Sequence, residues 1–334
     1  MNPVPVTRRM ANRAAGFHPS PRFVRAVDLA GQWAAPIAIV VVWIAALVLA
    51  PAFFAPTNLK TLMIQVSVLG IVAIGQTLVL LVHAIDLSVS AVLALGAVIV
   101  VQTEAGNSLV LSLIEAFAIA MIIGLASGWL VTKRQVPPFI ATFGMLVFIQ
   151  GARLAYTNGQ ASGTVPEFLR AISIRSVGPI PAALVVWLIV NGIVFFILKY
   201  TRYGRWIYAV GGSPAAARYA GIRIDAVVVG AYVACGALAM LGGLVLSGYI
   251  GYVDLRLGAD YNTNSIAAAI VGGTTFTGGR GNLFGTAAGV ILLISLLNLV
   301  VVLGLPIHWQ YAMQGLVLVA ATALQGFRQF LLSR

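Results

Sequence analysis

Residues 61–82 read TLMIQVSVLGIVAIGQTLVLLV and contain no charged side chain. A helix needs about 20 predominantly apolar residues to cross a bilayer, so this stretch predicts a membrane span. Similar runs recur along the chain, and the third and the eighth of them are short. We predict about ten transmembrane helices, at roughly 32–52, 60–82, 87–103, 108–131, 138–156, 180–198, 226–248, 263–278, 282–303 and 308–326.

The composition also indicates a membrane protein. Hydrophobic residues make up 60% of the 334 residues and charged residues 8%, whereas about a quarter of an ordinary soluble domain is charged. The predicted fold is all-α and polytopic, with residues 31–334 forming a single transmembrane domain. Residues 1–30 are basic and lack the compact layout of a cleaved signal peptide. They are predicted to form a disordered or surface-lying arm.

The basic residues indicate the orientation of the chain. A formal net charge of +12 could suit nucleic acid, but the basic residues are dispersed among loops between the apolar runs and form no single basic surface. If the N-terminus is cytoplasmic, most of them lie in cytoplasmic loops, in agreement with the positive-inside rule. Both termini are therefore predicted to be cytoplasmic, with no nucleic acid as partner.

The sequence offers little material for catalysis. Cys235 is the single cysteine, and His18, His83 and His308 are far apart and not paired with acids at metal-ligand spacing. The glycine-rich stretch 272–285 lacks the Gly-Lys-Ser/Thr ending of a phosphate-binding loop. We expect no metal site, no cofactor and no enzymatic activity, so any ATP that drives the protein must be bound by another polypeptide.

One polar, basic segment, residues 201–223, separates two apolar runs and contains the signals of a short helix. Ser213 can cap the first turn, Pro214 suits the first helical position, and Gly221 tolerates the left-handed conformation that closes a helix. Gly211 and Gly212 are expected to let the chain bend into this helix. We predict about two helical turns, from Ala215 to Ala220, within a loop that spans residues 199–225.

Small residues recur every four positions in two of the apolar runs. The two sets are Ala120, Gly124 and Gly128, and Gly281, Gly285 and Gly289. Each set lies along one helix face, where small side chains let helix backbones approach closely. These faces are predicted to pack helices together.

Three segments together resemble the permease subunits of bacterial ATP-binding-cassette importers for sugars of the ribose, xylose, arabinose and galactose type. Their wider family includes branched-chain amino acid permeases, and the resemblance runs from about residue 55 to the end of the chain. The segments are His83–Gly96, with the core Ile-Asp-Leu-Ser-Val, the polar loop 201–223, and Ser265–Thr286. The chain departs from the family where His83, Ala84 and Ser90 replace glycines, and where Asn262 and Asn264 replace two acids.

The resemblance implies a membrane-spanning subunit in a bacterial inner membrane, with a separate ATPase subunit below and a periplasmic sugar-binding protein above. It also implies a second permease copy or a paralogue. The polar loop would carry the coupling helix that docks on the ATPase. Its matching or adjoining residues are Gly204, Arg205, Ala209, Gly211, Gly212, Ser213, Ala217, Arg218, Gly221 and Ile222.

We hypothesise that Arg205, Arg218 and Arg223 face acidic or polar groups of the ATPase. Positive-inside anchoring alone is the alternative explanation of these arginines.

Polar residues within or beside the apolar runs are candidates for a substrate path, because polar groups in hydrocarbon are costly and face protein or water. Neighbouring helices could equally satisfy them, and Asp86 could simply cap the helix that follows it, with Ser88 assisting. The candidates are Gln76, His83, Asp86, Ser88, Asn262, Asn264 and Asn298, together with Gln65.

Two alternatives to a sugar importer stay open. One is an importer for branched-chain amino acids or another polar metabolite, although few embedded charges are available to pair with a charged substrate. The other is an ion-coupled secondary transporter, for which only Asp86 and Glu115 are plausible embedded acids.

Overall fold

The structure is a computed structural model that describes residues 21–103, 108–160, 164–254 and 256–332. Within these ranges it is almost entirely helical. A short 3₁₀ turn, Pro51–Phe54, follows the first helix, and a two-residue hairpin, β1 (Ser176–Val177) with β2 (Ile180–Pro181), precedes the seventh. The helices are α1 (Pro21–Leu49), α2 (Pro56–Leu81), α3 (Val89–Thr103), α4 (Leu109–Lys133), α5 (Pro138–Thr157), α6 (Glu167–Ile174), α7 (Ala182–Tyr200), α8 (Arg202–Gly212), α9 (Pro214–Tyr219), α10 (Ile224–Ile250), α11 (Tyr261–Val271), α12 (Leu283–Val302) and α13 (His308–Leu332).

The helix bounds follow most of the predicted apolar runs, and the all-α, membrane-spanning class is confirmed. The eighth run, 263–278, was predicted too long, because α11 ends at Val271 where a glycine-rich loop begins. The count of ten transmembrane helices stays a prediction. Among the described residues, six helices are long and apolar enough to cross a membrane, namely α2, α4, α5, α7, α10 and α12. The stretches Trp33–Leu49 and Val89–Gln102 are apolar but shorter. The first helix begins at Pro21, within the predicted N-terminal arm, and residues 1–20 of that arm lie outside the described ranges.

Helix α2 occupies the centre of the bundle, with every residue from Val66 to Leu81 buried. It packs against α10, which also contacts α3 and α4. Close backbone approach makes this packing possible, as a Cβ on Gly243 of α10 would stand 2.1 Å from the Leu93 carbonyl oxygen. The central helices are therefore held by backbone-to-backbone contact, which suits association in lipid.

The predicted small-residue faces are confirmed as packing faces. Gly124 and Gly128 of α4 lie against the backbone of α10, and Gly285 and Gly289 of α12 lie against the backbone of α11. Gly281 precedes α12 and packs on Thr274 in the preceding loop instead.

Two of the helices, α3 and α11, begin inside the bundle and are too short to cross the bilayer. We call them the broken helices. Helix α11 has 11 residues, which span only about 17 Å against a hydrocarbon core of about 30 Å. The chain that leads into it folds inward, since Val253 and Leu257 are both buried. Discontinuous helices of this kind typically line solute sites in transporters.

Basic residues gather at one end of the bundle, which we call the basic end. It comprises Lys133 and Arg134 after α4, Lys199 at the end of α7, the whole of α8 and α9, and Arg280 in the loop before α12. At the opposite end, α6 is tied to the core because the Ser173 hydroxyl donates a hydrogen bond to the Val245 carbonyl at 2.8 Å.

Candidate functional site

Asp86 lies inside the bundle, just before the first broken helix, α3. Its Oδ1 accepts hydrogen bonds from the Ser88 backbone N–H at 2.8 Å and from the Ser88 hydroxyl at 2.6 Å. Both residues are buried. Ser88 directly precedes α3, so these bonds shape the turn that enters the helix. Capping of the helical N–H groups by Asp86, and a role of its carboxyl group toward a solute, stay predictions.

Neighbouring helices hold the backbone of the same segment. The Gln76 amide, oriented to suit its neighbours, donates to the Asp86 carbonyl at 3.1 Å and accepts from the Asp86 N–H at 3.3 Å. The Tyr232 hydroxyl donates to the Ile85 carbonyl at 3.1 Å. The Cys235 thiol also lies within hydrogen-bonding reach of the Asp86 carboxyl group. This segment is therefore clamped between α2 and the middle of α10.

The second broken helix contacts the first at its N-terminal end. Asn262, near the start of α11, accepts a hydrogen bond through Oδ1 from the backbone N–H of Ser90 at 2.9 Å. Two residues further on, Asn264 is 7% exposed and its Oδ1 has no hydrogen-bond partner within the described residues. We call the polar residues at and around the starts of α3 and α11 the interior cluster: Gln76, Asp86, Ser88, Ser90, Asn262 and Asn264.

Three of the predicted path residues lie elsewhere. Asn298 pairs reciprocally with Asn58, the two amides exchanging hydrogen bonds of 2.9 and 3.0 Å. Gln65 lies partly buried on α2, away from the segment that follows this helix. His83 is exposed at the basic end. The structure therefore joins five of the eight candidates in one cluster.

At the basic end, the segment between α2 and α3 contacts the loop between α11 and α12. The Gly279 N–H donates to the Leu81 carbonyl at 2.9 Å. The His83 ring, through Nδ1, lies 2.8 Å from the Thr277 carbonyl, so Nδ1 must carry the proton that it donates. His83 adopts a left-handed backbone with φ of 63°, a conformation that glycine reaches without steric cost.

Helix α8 lies directly on this contact. A Cβ on Gly211 would stand 1.8 Å from the Leu81 carbonyl oxygen and 2.4 Å from the Gly279 nitrogen. Gly211 and Gly212 were expected to provide a bend, but they form the last residues of α8. Gly211 is present because a side chain would not fit between three backbones. We call this contact of Leu81, His83, Gly211, Gly278 and Gly279 the three-segment junction.

The short helix α9 forms as predicted. The Ser213 hydroxyl accepts a hydrogen bond from the Ala216 N–H at 3.3 Å, Pro214 occupies the first turn, and Gly221 closes the helix with φ of 76°. Within this helix Ala217 is buried, whereas Arg218 is exposed. The start and end signals in the sequence therefore predicted this helix correctly.

Helix α8 was not predicted as a separate element, although its signals are present. The Thr201 hydroxyl accepts a hydrogen bond from the Gly204 N–H at 3.2 Å and caps it. Tyr208 donates to the Gly281 carbonyl at 3.0 Å, which attaches α8 to the glycine-rich loop. Tyr203 donates to the Val227 carbonyl at 3.1 Å, and burial raises the pKa of this phenol to about 12. It stays protonated as a donor at any physiological pH.

The outer surface of α8 and α9 is basic and aromatic. Arg205, Arg218 and Arg223 are exposed, and Tyr219 is 94% exposed. Tyr219 was not among the predicted residues, although an aromatic on so short a polar helix is itself a signal of contact. Among the described residues, no group of histidine, cysteine or acidic side chains could hold a metal ion.

Comparison with known proteins places these features in context. Residues 58–322 match the family model described as branched-chain amino acid transport system / permease component. The chain is 35% identical over 288 residues to the ribose import permease protein of Escherichia coli, with 84% of this chain and 89% of the relative covered. No solved structure matches the chain.

Two further relatives also align over most of this chain and most of their own length. Identity is 34% over 282 residues to the ribose import permease protein of Bacillus subtilis, with 83% of this chain and 87% of the relative covered. It is 30% over 283 residues to the fructose import permease protein of Rhizobium meliloti, with 81% and 78% covered.

Proposed function

The chain belongs to the permease-component family of branched-chain amino acid type transport systems, and on that premise we propose that it is the membrane subunit of an ATP-binding-cassette importer. It translocates a monosaccharide or similar small polar solute across the bacterial inner membrane. The ribose and fructose import permeases among its relatives support a sugar over a branched-chain amino acid. A separate subunit hydrolyses the ATP, since the chain carries no phosphate-binding motif.

The observation that carries the proposal is the three-segment junction. Helix α8 touches, through Gly211, both the residue at which α2 ends and the loop that leads into α12. Leu81 is followed by the segment that enters α3, and Gly279 lies in the loop after α11. A displacement of α8 and α9 by an ATPase therefore acts on both broken helices at once.

Rigid connection makes this transmission effective. The junction consists of backbone atoms in direct contact, and α9 is capped at both ends. Packed elements of this kind shift between discrete arrangements and do not deform continuously. Movement at the basic end therefore changes how the starts of α3 and α11 meet in the interior cluster.

The interior cluster supplies the chemistry for a neutral, hydroxyl-rich solute. Amides and hydroxyls predominate in it, and the one carboxylate, Asp86, is occupied by Ser88. The unpartnered Oδ1 of Asn264 can accept a hydrogen bond from a sugar hydroxyl. Gln76, Asp86, Ser88 and Asn262 position the helix starts around it.

The partners follow from the two ends of the bundle. In the proposed orientation both termini and the basic end are cytoplasmic, as the positive-inside rule favours. The ATPase docks on α8 and α9, where Arg205 and Tyr219 are exposed. A periplasmic binding protein docks near α6, and a second permease copy or a paralogue completes the path. The remaining apolar surface faces membrane lipid.

Reconstitution tests the proposal directly. The permease is purified with the ATPase and binding protein encoded beside it and placed in proteoliposomes, and uptake of labelled ribose, fructose and leucine is measured. We expect uptake of a sugar that requires both ATP and the binding protein. Uptake driven by an ion gradient without ATP would establish the secondary-transporter alternative, and uptake of leucine alone would establish the amino acid alternative.

A further inference from the structure

A cavity of about 720 Å³ lies at the basic end, between the end of α4, helix α9 and the start of α10. It is separate from both the interior cluster and the three-segment junction. Its lining combines two kinds of surface. Leu125, Trp129 and Val229 are apolar or aromatic, while Lys133, Arg218 and Arg223 are cationic.

The cationic side of the cavity is only partly neutralised. Asp225 is the one acid in the lining, and it pairs with Lys133 at 2.5 Å. Arg218 and Arg223 form no ion pair with any residue in the described ranges. Two guanidinium groups beside one cavity suit a phosphate group, which they can bind through paired charge-assisted hydrogen bonds.

The apolar side of the cavity continues onto the outer surface of the bundle. Leu125 is 55% exposed and Trp129 is 43% exposed, and Ile122, one turn further along α4, is also exposed. Trp129 stacks beneath the Arg134 guanidinium at 4.8 Å. A tryptophan beside basic residues is typical of the membrane–water interface. The cavity therefore opens toward the surface that faces acyl chains.

We propose that this cavity binds the headgroup phosphate of an anionic phospholipid, with Arg218 and Arg223 as its ligands and the acyl chains along α4. An occupant with both an anionic head and an apolar tail matches both sides of the lining, whereas a protein surface would leave the apolar wall uncovered. Basic pockets between cytoplasmic helix ends are known to take such headgroups. The site rests on the proposed cytoplasmic orientation of the basic end.

The site gives the lipid a direct effect on α9. Arg218 belongs to α9, and Arg223 immediately precedes α10, while the rest of the cavity belongs to α4 and α10. A bound phosphate joins these elements and restrains the end of the helix that the ATPase moves. The composition of the inner leaflet thereby influences coupling.

The test is native mass spectrometry of the purified, delipidated permease without its ATPase, titrated with phosphatidylglycerol or phosphatidylcholine. The wild-type protein is expected to retain phosphatidylglycerol in preference. The double variant Arg218→Gln/Arg223→Gln should bind phosphatidylglycerol at least about tenfold more weakly, since each lost charge-assisted hydrogen bond accounts for roughly that factor. The control Arg202→Gln/Arg280→Gln removes two exposed charges at the same end, outside the cavity.

A second variant tests the cavity without altering charge. Ala226→Trp fills part of the lining and should also weaken retention of phosphatidylglycerol, with folding checked by size-exclusion chromatography. Equal retention of the two lipids by the wild type, or equal retention of phosphatidylglycerol by the wild type and the double variant, would overturn the proposal. Because the ATPase is absent from the lipid assay, failure here leaves the importer function intact.

Discussion

Gly211 and Leu81 meet so closely that a methyl group at position 211 would lie 1.8 Å from the Leu81 carbonyl oxygen. The same carbonyl accepts a hydrogen bond from Gly279. One backbone atom thus joins the end of α2, the end of α8 and the loop before α12. The chain connects the surface on which we place the ATPase to both broken helices through this single point.

Gly211→Ala should separate these three segments. Overpacking of this kind costs about 1–3 kcal/mol, and here the displaced groups are those that transmit movement. We expect ATP hydrolysis to persist in the assembled importer while solute uptake falls by about fivefold or more, because each 1.4 kcal/mol corresponds to a factor of about ten. The readout is the ratio of solute transported to ATP hydrolysed.

Gly212→Ala is the matched control for that variant. A Cβ at position 212 meets no atom within 4 Å, so this neighbouring substitution should leave the ratio unchanged. If both variants behave like the wild type, the three-segment junction is not part of the coupling route.

His83 can be dissected with two substitutions. His83→Gly relaxes the left-handed backbone but removes the hydrogen bond to Thr277, which contributes about 1 kcal/mol. His83→Ala removes the same bond and leaves a Cβ in a conformation that costs roughly 1 kcal/mol. We expect looser coupling in both variants and a lower melting temperature for the alanine variant than for the glycine variant. Equal melting temperatures would show that the backbone there is not strained.

Two substitutions at the buried Asp86 test whether transport needs its hydrogen-bond acceptor or its charge. Asp86→Ala removes the acceptor of two hydrogen bonds at the start of α3 and should abolish uptake. Asp86→Asn keeps an acceptor oxygen, so uptake should be partly preserved for a neutral sugar. Uptake by proteoliposomes measures both, and full activity of Asp86→Ala would contradict a role for this residue in transport.

Substitution by alanine should have different effects at Asn264 and at Asn298. Asn264→Ala removes a buried acceptor that has no partner in the described protein, so stability should hold while the apparent KM for the solute rises. Asn298→Ala removes both hydrogen bonds between the two amides and leaves Asn58 only its bond to the Phe53 carbonyl, and should lower the free energy of unfolding by about 1–3 kcal/mol. Uptake kinetics and thermal unfolding together distinguish them. An unchanged KM for Asn264→Ala would remove this residue from the solute site.

Gly221 closes α9 in the left-handed region. Gly221→Val places a β-branched residue there, at a cost of more than about 1 kcal/mol, and should uncouple ATP hydrolysis from uptake without preventing membrane insertion. Ala220→Val is the control, because Ala220 has φ of −79° and is exposed. Unchanged transport in Gly221→Val would show that the shape of α9 is not needed for coupling.

Local signals were sufficient wherever the physical cause is local. Apolar runs predicted the helix positions because a bilayer requires about 20 apolar residues in succession. Ser213, Pro214 and Gly221 predicted α9 because capping and chain reversal depend on neighbouring residues.

Long-range contacts were beyond the reach of these signals. Gly211 was interpreted as a bend because glycine favours turns as well as close approach, and only the position of Leu81 distinguishes the two. Asn298 and Asn262 are both amides in apolar surroundings, yet one pairs with Asn58 and the other caps α3. The partner, which is distant in sequence, determines which role each amide has.

The amino-acid sequence by itself determined that this chain is a polytopic helical membrane protein, which surface loop carries the short capped helix, and which transporter family the motifs resemble. Those properties depend on hydrophobicity, on capping and on short motifs, all of which act over a few residues. Only the tertiary structure showed that α8 contacts both the end of α2, which leads into α3, and the loop that follows α11, and that five polar candidates form one cluster while His83 and Asn298 lie elsewhere. Such contacts join residues far apart in the chain, and packing in three dimensions selects them.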